Sequence, residues 1–202
     1  MSIRRLAAAC VLALAGARAL AAQRPAWAEL EGMVLGGPLD AVFPLGLECR
    51  PGSAFGGPVS PVALITVLFG NAFAHSHHNG AAAVRALEPA TVCMGKIWEG
   101  QAVALVFAMN RQIGAITVLY ALRPDSAMPV EAVRRRLRAR WGRGAGTATL
   151  EEWWGERYRA YLLDAATDDR FGRRVTLLDL RACTAFDRAL HQAGEPGRPG
   201  VC

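Results

Sequence analysis

Residues 91–123 read TVCMGKIWEGQAVALVFAMNRQIGAITVLYALR, and this stretch decides the fold. Three β-rich runs, Val92–Trp98, Val103–Met109 and Ile113–Leu122, are separated by Gly100-Gln101 and Asn110-Arg111-Gln112. Short β-branched and aromatic runs punctuated by turn residues predict an antiparallel meander of three strands. In the third run Ile116, Val118, Tyr120 and Leu122 alternate with Thr117, Leu119 and Ala121. Both sets are largely apolar, so this strand is expected to be covered on both faces.

Pro124-Asp125-Ser126 then breaks the pattern. Pro129 opens a helix running to Trp141, with Glu131 near the positive end of its dipole. Val133, Leu137 and Trp141 form its apolar stripe at i, i+4 and i+8. Three more strands follow, Thr147–Trp154, Tyr158–Ala165 and Arg174–Ala182, and then a short helix over 184–192. The third strand of each group aligns with the other: Gly114, Leu119, Leu122 and Arg123 match Gly172, Leu177, Leu180 and Arg181 at an offset of 58 residues. The pattern predicts an α+β fold of two similar helix-plus-three-stranded-meander units sharing one antiparallel sheet, with helices packed on one face. Joining two such sheets edge to edge removes exposed strand edges and extends the buried layer. The halves are 23–123 and 124–192, followed by a Gly/Pro-rich tail at 193–202.

The chain holds 202 residues, 52% hydrophobic and 20% charged, with a formal net charge of +6. That composition excludes disorder and leaves enough chain for a real core. Residues 1–22, MSIRRLAAACVLALAGARALAA, have the layout of a secretory signal peptide: Arg4-Arg5, an apolar Leu6–Ala17 run, then the small-x-small site Ala19-Leu20-Ala21. Cys10 does not fit a lipidation signal, because the apolar run continues beyond it. Cleavage would remove three of the 23 basic residues and none of the 17 acidic ones, so part of the charge belongs to the export signal. No nucleic-acid partner is expected from the remaining balance. Four cysteines stay: Cys49, Cys93, Cys183 and Cys202. An even count in an exported chain predicts two disulfides. Of the three pairings, Cys49–Cys93 with Cys183–Cys202 is favoured, because each closes a loop within one half. The expected location is periplasmic or secreted.

Upstream of the meander, residues 50–61 (RPGSAFGGPVSP) read as a loop. Val59–Ala74 is the most apolar stretch, but it contains Pro61 and Asn71 and falls short of the ~20 residues of a membrane span. A buried helix over 61–74 is the preferred reading, with a membrane-attached subunit the alternative. Residues 79–90 read as a further short helix stopped by Pro89. Gly32–Val42 carries the pattern G-M-x-x-G-x-P-x-x-x-V. This stretch, followed by meanders in an exported chain, resembles the small α+β modules of the outer-membrane assembly lipoproteins and of secreted β-lactamase inhibitor proteins. The resemblance spans about 32–49 and 91–182. It implies a sheet face that binds partner proteins, and it carries no catalytic residues. The chain departs from those modules in lacking a lipobox cysteine and in the extra apolar segment at 59–90.

Three constellations carry chemistry. His75, His77 and His78 form a cluster of imidazoles, the commonest ligands of Zn or Cu; Glu88 or His191 would have to complete a site. Arg134–Arg143 places six arginines on or beside one helix, and Arg134, Arg135 and Arg138 are the candidates for an anionic glycan or lipid surface. Trp153, Trp154, Arg157, Tyr158 and Arg159 have the composition of an interaction hot spot. Trp153 and Trp154 must face opposite sides of their strand. The nucleophile, phosphate-loop, dinucleotide and metalloprotease motifs are absent from the sequence. The expectation is an exported, non-catalytic binding protein acting through its sheet face and basic helix. It would act on an envelope or secreted protein, or on an anionic envelope component, without a cofactor. The alternative is a metal-binding protein or metal-dependent enzyme built on the histidines.

Overall fold

The computed structural model describes residues 24–54, 60–69, 80–120, 128–164 and 173–194. Residues 1–22, His75, His77, His78, Ala74 and Cys202 lie outside them, so the expected signal peptide, the expected metal cluster and the end of the helix expected over 61–74 lie outside the described residues. The fold is α+β. Its strands are β1 (Glu29–Leu30), β2 (Met33–Val34), β3 (Glu48–Pro51), β4 (Ala90–Ile97), β5 (Ala102–Met109), β6 (Gln112–Leu119), β7 (Ala145–Gly146), β8 (Leu150–Trp154), β9 (Tyr158–Asp164) and β10 (Arg173–Asp179). Its helices are α1 (Pro61–Phe69), α2 (Gly80–Leu87), α3 (Val130–Trp141) and α4 (Leu180–Gln192). β1 and β2 make a small hairpin. The other eight strands form one antiparallel sheet in the order β3-β4-β5-β6-β10-β9-β8-β7.

Both three-strand runs appear where β-branched and aromatic residues predict them. The two halves meet through their last strands, with Thr117 opposite Thr176 at the junction. Thr117 Oγ1 donates to the Val67 carbonyl at 3.1 Å and lies 3.2 Å from Thr176 Oγ1, so these buried hydroxyls satisfy each other beneath α1.

The halves differ from the expected units in two respects. Each contributes four strands, and the helices occupy both faces of the sheet instead of one. On the first face α3 lays Val133, Leu137 and Trp141 over Ile116, Val118, Val175 and Leu177, beside the N-terminal segment that carries Leu30, Met33, Leu35 and Val42. On the second face α1, α2 and α4 pack Leu64, Leu68, Phe69, Leu87 and Phe186 over Val92, Phe107, Ala115 and Leu178. Phe69 stacks on Phe186 at 4.8 Å and meets Phe107 edge-on at 4.9 Å. The reason is written in β5 and β6, which are apolar on both sides; one-sided cover would leave Phe107, Ala115 and Leu119 in water. Gly114 allows this close cover: a Cβ there would stand 2.6 Å from the Ala182 Cβ on α4.

Two boundaries also move. α4 starts at Leu180 and not at Thr184, because the Asp179 carboxylate accepts from the Arg181 N–H at 2.9 Å and caps the helix. β3 runs into the start of the stretch at 50–61 expected to be a loop. It is stapled to its neighbour by the expected Cys49–Cys93 disulfide between directly opposed residues, whose Cα atoms are 3.9 Å apart. Closing a 44-residue separation contributes about 4 kcal/mol in the chain-entropy account. Cys183 is also disulfide-bonded; Cys202, its expected partner, lies outside the described residues. Among the described residues no helix is long and apolar enough to cross a membrane.

Candidate functional site

The β8–β9 hairpin carries five of the expected binding residues. Its turn is tight: the Gly155 N–H donates to the Tyr158 carbonyl at 3.0 Å, with Glu156-Arg157 at the tip. Strand alternation then sorts the side chains. Trp153 and Tyr158 go to the first face and are buried. Trp153 meets Trp141 edge-on at 5.2 Å and donates from Nε1 to the Gly142 carbonyl at 3.2 Å. These two residues belong to the core and not to a surface.

Trp154 goes to the second face and is 59% exposed. Its directly opposed neighbour is Arg159, whose guanidinium lies 3.9 Å from the indole centroid. Arg159 also pairs with Glu152 at 2.7 Å. One ring face is thus taken by a cation that carries its own counterion. The patch is open because α1, α2 and α4 lie over β4, β5, β6 and β10, short of the hairpin. At the turn, Arg157 donates from Nε and Nη2 to Asp179 Oδ2 at 3.1 and 2.8 Å and lies over the Tyr158 ring at 4.9 Å. The hydrogen bond to Asp179 holds the Arg157 pKa above its ordinary value. Arg157 therefore serves to fix the hairpin against the cap of α4.

The basic helix has a different role from the one expected. Arg134 is 6% exposed; it pairs with Glu151 at 3.2 Å, contacts Glu131, and donates to the Ala148 carbonyl. Arg138 grips Glu151 through Nε and Nη2, both at 2.9 Å, and the Gly144 N–H adds a third donor at 2.9 Å. Burial pushes the Glu151 carboxyl up, but these donors outweigh it and hold the pKa below its ordinary value. Arg136 pairs with Glu31 at 2.9 Å and lies 5.2 Å over Trp98, whose Nε1 also reaches Glu31 at 3.0 Å. Arg140 pairs with Glu29. Four of the helix arginines are thus committed to the chain's own carboxylates, and Arg134 and Arg138 are corrected from ligand contacts to structural pairs. Arg135 is exposed with no ion pair among the described residues. A polar cleft of about 400 Å³ lies between α3 and the 142–148 loop; of its three lining arginines, Arg134 and Arg138 are spent on Glu131 and Glu151, and Arg143 is the third.

Sequence reasoning missed Glu29 and Glu31 as partners, since they lie more than 100 residues upstream. Among the described residues no group of three or more His, Cys, Asp or Glu is placed to hold a metal. His191 lies 3.6 Å from Asp187 on α4, and Glu88 is exposed at the end of α2. No protein-family model, curated protein or solved structure matches the chain.

Proposed function

We propose that the protein works outside the cytoplasm, in the periplasm or as a secreted protein, as a non-catalytic binding module for an envelope component. The binding surface is the second face of the β8–β9 hairpin, centred on Trp154. The observation that carries this reading is the indole itself: a large aromatic 59% exposed on a strand, with the Arg159 guanidinium fixed over its ring. Burying such a ring on a partner removes apolar area from water, worth ~2 kcal/mol at this size. The rest of the surface organises this spot: Arg157 ties the turn to Asp179, and the core Trp153 sets the strand's facing. The signal-like N-terminus and the Cys49–Cys93 disulfide support an oxidising location. The test is co-sedimentation of purified protein with a bacterial envelope fraction. Wild type is expected in the pellet and Trp154→Ala in the supernatant; wild type remaining in the supernatant, or sedimenting as well as the variant, contradicts the reading.

A further inference from the structure

The chemistry around Trp154 narrows the ligand class, and this step rests on the hairpin being the binding surface. Trp154 is an isolated apolar spot. The other exposed large hydrophobics among the described residues are Phe43 and Met94. Met94 sits on β4, five strands from β8, which at the usual strand spacing is about 24 Å away. Phe43 lies in the 3₁₀ turn ahead of β3, at the other end of the sheet. A protein interface needs a contiguous area of about 800 Å² per partner; a single indole face matches one sugar ring.

The charges point the same way. Arg159 and Glu152 neutralise each other, so the spot offers no net attraction to an anion or a cation. It does offer a guanidinium donor beside a carboxylate acceptor, and a hydroxyl uses both, being donor and acceptor at once. Beside the pair, Arg159 Nε and Tyr161 Oη, two residues apart on the same face, are buried without a hydrogen-bond partner among the described residues.

We infer that the Trp154–Arg159–Glu152 patch binds a neutral saccharide. One sugar ring stacks on the free indole face, and its hydroxyls are held by the Arg159–Glu152 pair.

The experiment titrates the purified full chain, with its disulfides intact, with chitohexaose, cellohexaose, maltohexaose and heparin, followed by tryptophan emission and calorimetry. A neutral hexasaccharide is expected to bind saturably and with little dependence on salt. Trp154→Ala is expected to weaken it at least about tenfold, Trp154→Phe to keep most of it, and Arg135→Ala to leave it unchanged. Trp154 is exposed, so unchanged circular dichroism will show that its variants fold. Absence of binding by all three neutral sugars at millimolar concentration overturns the inference. So does Trp154-dependent, salt-sensitive binding of heparin alone. If envelope co-sedimentation still depends on Trp154 in either case, the saccharide assignment falls and the binding surface stands; if it does not, both fall.

Discussion

Replacing Glu151 by Gln tests whether the arginine helix is a structural clamp. Glu151 is 2% exposed, and its carboxylate takes both Nε and Nη2 of Arg138, the Arg134 guanidinium and the Gly144 N–H. The amide keeps the shape but leaves the buried Arg134 without its counter-charge, apart from the exposed Glu131. Removing one partner of a buried pair costs about 3–5 kcal/mol. For a domain of this size that is a drop in Tm of roughly 6–20 °C. Thermal unfolding by circular dichroism at pH 7 reads it. The pH dependence adds an independent check. The folded Glu151 pKa lies below the ordinary 4.5, so its contribution is complete above that value and is lost as pH falls through the folded pKa. The gap between wild type and variant should therefore close on acidification below 4.5. A gap under about 1 kcal/mol at pH 7, or one that does not change on acidification, would refute the clamp, since that is the worth of an exposed pair.

Three further outcomes are expected. The Cys49→Ser, Cys93→Ser double variant should lose about 4 kcal/mol in a denaturant titration without reductant, and with reductant, which also opens the Cys183 disulfide, wild type and variant should converge. Gly114→Ala should cost about 1–3 kcal/mol by pressing on Ala182 of α4, and Ala182→Gly should restore part of that in a double-mutant cycle. Asp179→Ala removes both the cap of α4 and the anchor of Arg157; about 3 kcal/mol is expected, together with faster amide exchange at the first turn of α4 and at the hairpin tip.

The strands were legible because their signal is local. Turns at Gly100-Gln101 and Gly155-Glu156 separate runs of β-formers, and the structure places strands on either side of each. Which face a helix takes is not local. Val133, Leu137 and Trp141 announce an apolar stripe, but nothing in α3 says that its side of the sheet differs from that of α1. The clue lay in β6, whose two apolar faces require two covers. The facing of Trp153 against Trp154 follows from alternation, yet which one is buried depends on α3 and Gly142, met only in three dimensions. Glu131 and Glu151, the partners of Arg134 and Arg138, lie near them in sequence, but no local pattern says that they pair; Glu31 and Glu29 reach Arg136 and Arg140 across the fold. β3 was hidden because Pro51 and the loop composition beyond it mask a strand of four residues held by a disulfide.

The most direct measurement of the central claim is site-specific photo-crosslinking in a bacterial host exporting the protein, with the reactive residue placed at the exposed Glu156 on the hairpin tip, beside an intact Trp154, and, as a control, at Arg135 on α3. The account predicts a discrete, saturable adduct with an envelope component from position 156, lost when Trp154→Ala is added, and none from position 135. No adduct from 156, an adduct indifferent to Trp154→Ala, or equal adducts from both positions would contradict a binding surface centred on Trp154.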